Sequence, residues 1–218
     1  IPFSGGRPLS PEELVAEVEE TYLGMVEGIV ITGGEPTLQP DLADHVKALS
    51  DAGYEVGVDT NGANPRAISS VLGSVSRVAL DLKAPLPDYP RVVRRPVSGE
   101  LILETFRLLN DWGRGRPPWS WEVRTTVAPP LVGRQEVLEI ADLLAREGFS
   151  GTFVVQAFRR DGTRPEASFL REPTVEELVG IAREAAERSG IEVFVRSRLG
   201  LKKISPGLDA RAASTGPA

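Results

Sequence analysis

Polar and charged residues recur at fixed places in this sequence, each at the end of a short β-branched run. Gly28 to Thr32 leads into Gly33-Gly34-Glu35-Pro36, and Glu55 to Thr60, which carries Asp59, leads into Asn61-Gly62. Val78 to Lys83 carries Asp81 and Lys83, and Thr152 to Phe158 carries Gln156 ahead of Arg159. Two-residue alternation over Trp121 to Val127 puts Glu122, Arg124 and Thr126 on one face. Carboxylates, a lysine, an arginine and amides thus collect where successive strands end. Each piece also has a plain structural reading. Paired glycines make tight turns, Asp-Thr-Asn-Gly is a good turn sequence, and Asp81 with Lys83 would satisfy each other as an ion pair. Their recurrence after successive strands favours a site, because a purely structural barrel fills such positions with Val, Ile and Leu.

The elements that must position these residues follow from period and caps. Strands are predicted at Gly28 to Thr32, Glu55 to Thr60, Val78 to Lys83, Trp121 to Val127, Thr152 to Phe158 and Ile191 to Arg196, with helical stretches between them. Ser10-Pro11-Glu12-Glu13 places a capping hydroxyl, a first-turn proline and a glutamate ahead of Leu14, Val18 and Tyr22. Asn64-Pro65 opens a short helix, and Thr174 with Glu177 predicts a second capping box ahead of Leu178, Ile181 and Ala185. Leu42, Val46 and Leu49, then Ile102, Phe106 and Leu109, then Val137, Ala141 and Leu144 mark three further buried stripes. Alternating strands and helices give an α/β fold with parallel strands. Six strands are too few for a closed barrel of about 250 residues, which leaves an open, partial barrel or a doubly wound sheet. One domain over residues 1 to 204 and a mobile tail over 205 to 218 are expected.

The composition excludes several chemistries. The 218 residues carry a formal net charge of -6 and no cysteine. Without cysteine the chain as given has no disulfide, thiolate zinc site, thiol nucleophile or protein-ligated iron-sulfur cluster. The acidic balance argues against nucleic-acid binding, and no apolar run has the length of a membrane span, so a cytoplasmic protein is expected. His45, the single histidine, reads as structural and rules out a multi-histidine metal site. A magnesium ion held by Glu35, Asp59 and Asp81 is the one metal site these residue types leave open.

The run Thr32-Gly33-Gly34-Glu35-Pro36-Thr37-Leu38-Gln39 resembles the Gly-Gly-Glu-Pro motif of radical S-adenosylmethionine enzymes. Val58-Asp59-Thr60-Asn61-Gly62, Leu80-Asp81-Leu82-Lys83-Ala84-Pro85, Glu122-Val123-Arg124-Thr125-Thr126-Val127 and Val155-Gln156-Ala157-Phe158 follow in the order of its glycyl-radical-enzyme activase branch. Within that branch the chain is most similar to the activating proteins of anaerobic ribonucleoside-triphosphate reductases, with pyruvate formate-lyase activating enzymes also similar, over about residues 8 to 200. The resemblance implies a partial (β/α)6 TIM-like barrel that binds S-adenosylmethionine against a 4Fe-4S cluster and generates a 5'-deoxyadenosyl radical, which takes hydrogen from a glycine of a partner enzyme. It implies that the edge from Thr32 through Gly33, Gly34 and Glu35 to Pro36 holds the methionyl amino group. Asp59, Asn61, Asp81 and Lys83 would hold ribose and methionyl groups, Arg124 the methionyl carboxylate or the partner, and Gln156 the adenosine. A glycyl radical enzyme such as anaerobic ribonucleotide reductase, and an electron donor such as flavodoxin or ferredoxin, are the implied partners.

The sequence departs from that pattern in lacking the CxxxCxxC loop that carries the cluster thiolates, and it starts at Ile1. The expectation is a chain truncated at its N-terminus, without the first barrel strand and cluster loop, and inert by itself. Gly28 to Thr32 would then be an exposed apolar edge open to pairing with a second copy. Two alternatives remain at this point: a small-molecule enzyme of the same superfamily, akin to carboxy-deazaguanine synthases, and a cluster-free module that binds an adenosine nucleotide. The loop Pro85 to Pro96, with Arg91, Arg94 and Arg95, reads as a solvated basic loop or as a docking surface for an acidic partner.

Overall fold

A computed structural model gives the architecture of residues 7–22, 24–94, 97–161 and 165–204. The helices are α1 (Pro11–Tyr22), α2 (Leu42–Asp51), α3 (Pro65–Val71), α4 (Tyr89–Val93), α5 (Gly99–Gly113), α6 (Arg134–Arg146) and α7 (Val175–Ser189). The strands are β1 (Gly28–Ile31), β2 (Glu55–Thr60), β3 (Arg77–Asp81), β4 (Trp121–Val127), β5 (Thr152–Ala157), β6 (Val193–Ser197) and β7 (Gly200–Ile204). The tail expected to be mobile, residues 205 to 218, and Arg95 lie outside the described residues. No helix among the described residues is long and apolar enough to cross a membrane.

The chain divides into two compact units, one comprising residues up to Asp81 with Leu101–Trp121, the other Leu82–Glu100 with the residues from Glu122 onward. In the first, β1, β2 and β3 are parallel, with Ile29 opposite Val56 and Val58 opposite Val78. Val56, Val58, Val78 and Leu80 are at most 1% exposed, as are the helix stripes Val46-Leu49 and Ile102-Phe106-Leu109. The other face carries Val30, Gly57, Asp59, Ala79 and Asp81, and there Val30 is 49% exposed. Trp121 closes this core, its ring centroid 5.5 Å from that of Phe106.

In the second unit, β4, β5 and β6 are parallel and β7 returns antiparallel to β6. Val123, Val127, Phe153, Val155, Val193 and Val195 form one apolar face, buried with Val137, Ala141 and Leu144 of α6 and Leu178, Ala182 and Ala185 of α7. Glu122, Arg124, Thr126, Gln156 and Arg196 occupy the opposite face. Both units thus have a sheet with one apolar, helix-covered face and one polar face, an alternation that the two-residue period dictates.

Most of the expected caps form. Ser10 and Glu13 make the reciprocal box, with Glu13 N–H donating to Ser10 Oγ at 3.2 Å and Ser10 N–H to Glu13 Oε2 at 2.8 Å. Asn64 Oδ1 accepts from Ala67 N–H at 3.2 Å. Thr174 Oγ1 accepts from Glu177 N–H, but the Glu177 carboxylate turns to Arg171 in a bidentate pair at 2.8 Å, so only half of the second box exists. Arg171 offers two charge-assisted bonds in place of the single amide bond at the cap.

Three expectations on secondary structure are corrected, and one strand, β7, was not expected. Of the α1 stripe only Val18 is buried, with Tyr22 47% exposed, because α1 packs mainly against α2. Residues 86 to 93 are not a loop: a 3-10 turn at Leu86–Asp88 runs into α4, anchored by Tyr89, which is 2% exposed and whose hydroxyl accepts Lys83 N–H at 3.2 Å. The third strand ends at Asp81, so Lys83 lies beyond it. β7 has no sequence signature, since Gly200 to Lys203 are exposed and do not alternate; pairing with β6 creates it.

Candidate functional site

The Glu35 side chain ties the loop after β1 to the loop after β2. Its Oε1 accepts from Thr37 Oγ1 at 2.6 Å, Thr37 N–H at 3.2 Å and Thr60 Oγ1 at 2.8 Å, while Oε2 accepts from Asn61 N–H at 2.7 Å. Glu35 caps the 3-10 turn Pro36–Leu38 from an extended backbone, φ -160°, that aims the carboxylate across to β2. Asn61 Oδ1 accepts from Ala63 N–H at 2.9 Å, and Asn64 Nδ2 donates to Thr37 O at 2.9 Å, so the second loop is stitched back to the first. The Gly-Gly-Glu-Pro and Asp-Thr-Asn-Gly segments therefore form one rigid edge. Both oxygens of Glu35 are engaged in that clamp, which leaves the backbone of Thr32, Gly33 and Gly34 as the part of this edge open to a ligand. These three residues are exposed, and a Cβ built on Gly33 or Gly34 meets no atom within 4 Å.

Asp59 and Asp81 sit half-buried on the polar face of the first unit's sheet. Asp59 Oδ1 lies 3.6 Å from an Arg77 amino nitrogen, so its charge is shared with a strand residue that the sequence reading did not single out. Asn61, Thr60 and Glu35 are brought together, and Asp59 follows one residue earlier on the same strand.

In the second unit Arg124 is held beside Glu122, at 3.8 Å from Oε1, and Arg196 approaches the same oxygen at 3.3 Å. The Glu122 side chain is 9% exposed, so a nearly buried carboxylate lies between two guanidinium groups. Gln156 Nε2 donates to Thr126 Oγ1 at 2.8 Å, one rung further along. Lys83 is exposed, and its backbone rather than its ammonium makes the recorded bond, to Tyr89. Arg196, which the sequence analysis did not single out, lies opposite Gln156 on the same polar face. Replacing Arg196 by methionine keeps the stem and removes the charge. It is expected to cost about 1–2 kcal/mol in urea unfolding with an unchanged slope, the scale of a hydrogen bond to a charged partner.

No group of residues able to hold a metal ion occurs among the described residues, Glu35, Asp59 and Asp81 included. His45 has both ring nitrogens on backbone carbonyl oxygens. Arg91 pairs with Asp88 at 3.3 Å, and Arg94 stacks over Phe169 at 5.6 Å.

Two cofactors are at issue. The residues present do not fit an iron-sulfur cluster, for the chain contains no cysteine. They do fit the organic part of S-adenosylmethionine within the first unit: exposed Gly33 and Gly34 allow close backbone approach, and Asp59 and Asp81 offer carboxylates on the polar strand face.

Comparison with known proteins accords with this geometry. A glycyl-radical enzyme activating enzyme, as it is named, from Methanocaldococcus jannaschii is 28% identical over 138 residues, 62% of this chain and 56% of the relative. A 7-carboxy-7-deazaguanine synthase from Koribacter versatilis is 39% identical over 85 residues, 38% of this chain and 35% of that protein. The chain spans 56% and 49% of the lengths of its two Methanocaldococcus relatives, so it matches about half of each. A solved domain of pyruvate-formate lyase-activating enzyme from Bacteroides vulgatus superposes with a TM-score of 0.61 at 18% identity, over 77% of this chain and 98% of that domain. That likeness bears out the partial barrel over the doubly wound sheet. The superfamily profile itself matches residues 2–144, which include the Glu35 clamp, β1 to β4 and Arg124, and by that match this chain belongs to the radical SAM superfamily of enzymes.

Proposed function

We propose that this chain is the S-adenosylmethionine-holding part of a glycyl-radical-enzyme activase, whose substrate is a backbone glycine of a partner enzyme. The observation that carries the proposal is the Glu35 clamp, which spends a carboxylate on fixing an open glycine edge. Such rigidity is worth its cost where a ligand must be held against the backbone. In this reading the backbone from Thr32 to Gly34, bounded by Glu35 and Pro36, receives the methionyl amino group. Asp59, Asn61, Asp81 and Lys83 serve ribose and methionyl groups, Arg124 a carboxylate, and Gln156 the adenosine. The names of the two Methanocaldococcus relatives support the activase branch. The partner is a glycyl radical enzyme, anaerobic ribonucleotide reductase being the type suggested by the sequence motifs, the electron donor is a flavodoxin or ferredoxin, and the compartment is the cytoplasm. With no thiolate ligand in the chain, it binds the sulfonium compound but does not cleave it.

Equilibrium dialysis of labelled S-adenosylmethionine against this chain tests the reading. Saturable binding that weakens at least about tenfold in Glu35→Ala, a loss of about 1.4 kcal/mol, is expected; absence of saturable binding, or equal binding by both proteins, refutes it. A second reading is supported by the 7-carboxy-7-deazaguanine synthase relative, namely a small-molecule enzyme of the same superfamily. Binding of S-adenosylmethionine that tightens with a glycyl radical domain present favours the activase, and tightening with a small heterocycle favours the second reading.

The β1 edge of the first unit offers Ile29, Val30 and Ile31 with no charged residue among them, whereas β7, the edge strand of the second unit, carries Lys202 and Lys203. Lysine on an edge discourages pairing, and β1 lacks that protection. The chain is therefore expected to dimerise or aggregate through β1. Light scattering that returned a 23.5 kDa species at every concentration would contradict this.

A further inference from the structure

His45, which none of the roles above uses, lies on α2, where its ring spans two chain segments. Nδ1 is 2.9 Å from Asp41 O at the start of α2, and Nε2 is 2.9 Å from Leu9 O just ahead of α1. A carbonyl oxygen only accepts, so both ring nitrogens must donate, and only the imidazolium carries a proton on each. A neutral ring would set a bare nitrogen lone pair against one of these oxygens.

The surroundings favour the charge. Asp41, the residue just ahead of α2, and Asp44 on α2 face the ring, with Asp41 Oδ2 at 3.7 Å from Nδ1, and Glu12 faces it from α1. Burial opposes the charge, the side chain being 15% exposed, but the two carbonyl bonds and the Asp41 and Asp44 charges outweigh burial and raise the pKa above the ordinary histidine value. The Glu12 pKa is lowered, first by its backbone hydrogen bond and its bond to Ser10 and then by the His45 charge.

α1 has little else to hold it. Only Val18 of its residues is buried, and its sequence PEELVAEVEETY carries five glutamates and no basic residue. Docking this acidic helix on a helix start that bears Asp41 and Asp44 is opposed by like charge, and the imidazolium at the junction offsets that repulsion.

We propose that His45 is a protonation-controlled latch: its imidazolium ties the start of α1 to the start of α2, and loss of its proton releases α1. The sign follows from linkage. A group whose folded pKa lies above its unfolded value stabilises fully below the unfolded value, about 6.5 for histidine, and that contribution disappears as pH rises through the folded pKa. α1 is thus held most firmly below about pH 6.5 and loosens as pH rises through the folded midpoint.

His45 is the single histidine, so its ring signals are unambiguous. Nitrogen-15 NMR of the ring across pH, in the folded chain and in urea, is expected to show both nitrogens protonated below the folded midpoint and that midpoint above the unfolded one. Hydrogen exchange of the α1 amides, corrected for intrinsic rate, should lose protection across the same midpoint. The loss should approach about tenfold per pH unit separating the folded and unfolded midpoints. In His45→Gln the protection should not vary with pH over that range. A folded midpoint at or below the unfolded one, a neutral ring in the acidic range, or α1 protection that ignores the titration would overturn the latch. The ring measurement needs only the unmutated chain, so the test survives if the variant fails to fold.

Discussion

Glu35→Ala unfolds at a temperature about 6–12 °C below the parent, because it removes the acceptor of four hydrogen bonds at once. Thr60 and Thr37 are 2% and 3% exposed, so their hydroxyls have little water to turn to. Each stranded donor costs about 1–3 kcal/mol, and since Glu35 is half-buried and water reaches part of the gap, we expect about 3 kcal/mol in all rather than the sum. Calorimetry reads the temperature shift, and the dialysis experiment reads the accompanying loss of binding. Glu35→Gln separates the two roles of the group. It keeps an acceptor for the threonines but presents an amide donor to either Asn61 N–H or the Thr37 and Thr60 side, so it should fall between parent and alanine variant. An alanine variant as stable as the parent would mean that the two loops are fixed by something other than this carboxylate.

Gly62→Ala is the second large effect. Gly62 sits at φ +77°, where an L side chain costs roughly 1–2 kcal/mol. A Cβ there would lie 2.6 Å from Leu80 Cδ1, and Leu80 is fully buried, so the contact cannot be relieved by turning the leucine into solvent. Overpacking adds about 1–3 kcal/mol, giving a loss of roughly 2–5 kcal/mol. The same residue holds two further bonds: its carbonyl accepts from Thr105 Oγ1 of α5 at 2.7 Å, and its N–H donates to Thr60 Oγ1 at 3.1 Å. Urea unfolding is the check, and a cost below about 1 kcal/mol would show that the turn relaxes without strain. Because Thr60 also bonds Glu35, the two substitutions should be non-additive in a double-mutant cycle, whereas Gly62→Ala and Arg196→Met, in separate units, should add.

What the sequence determined by itself was local. Pro11 behind Ser10, Asn64 before Pro65 and the stripes on α2, α5, α6 and α7 specify helices through caps and period, which depend on neighbours a few residues away. β2, β4 and β5 were legible because β-branched runs ending in turn residues have one reasonable reading. The motif residues were legible as a set, and their order along the chain carried the superfamily. Tertiary structure decided the rest. Exposed Gly200 to Lys203 become β7 only because β6 supplies hydrogen-bond partners, and α4 exists because buried Tyr89 anchors a segment rich in proline. The roles of the charges were decided there too. Glu35 is the clamp of two loops, since Thr60 and Asn61, 25 and 26 residues on, bring their donors to it. Arg124 shares Glu122 with Arg196, 74 residues from that glutamate. A carboxylate's function depends on which donors reach it first, and a linear sequence records residue types without the distances that settle that competition.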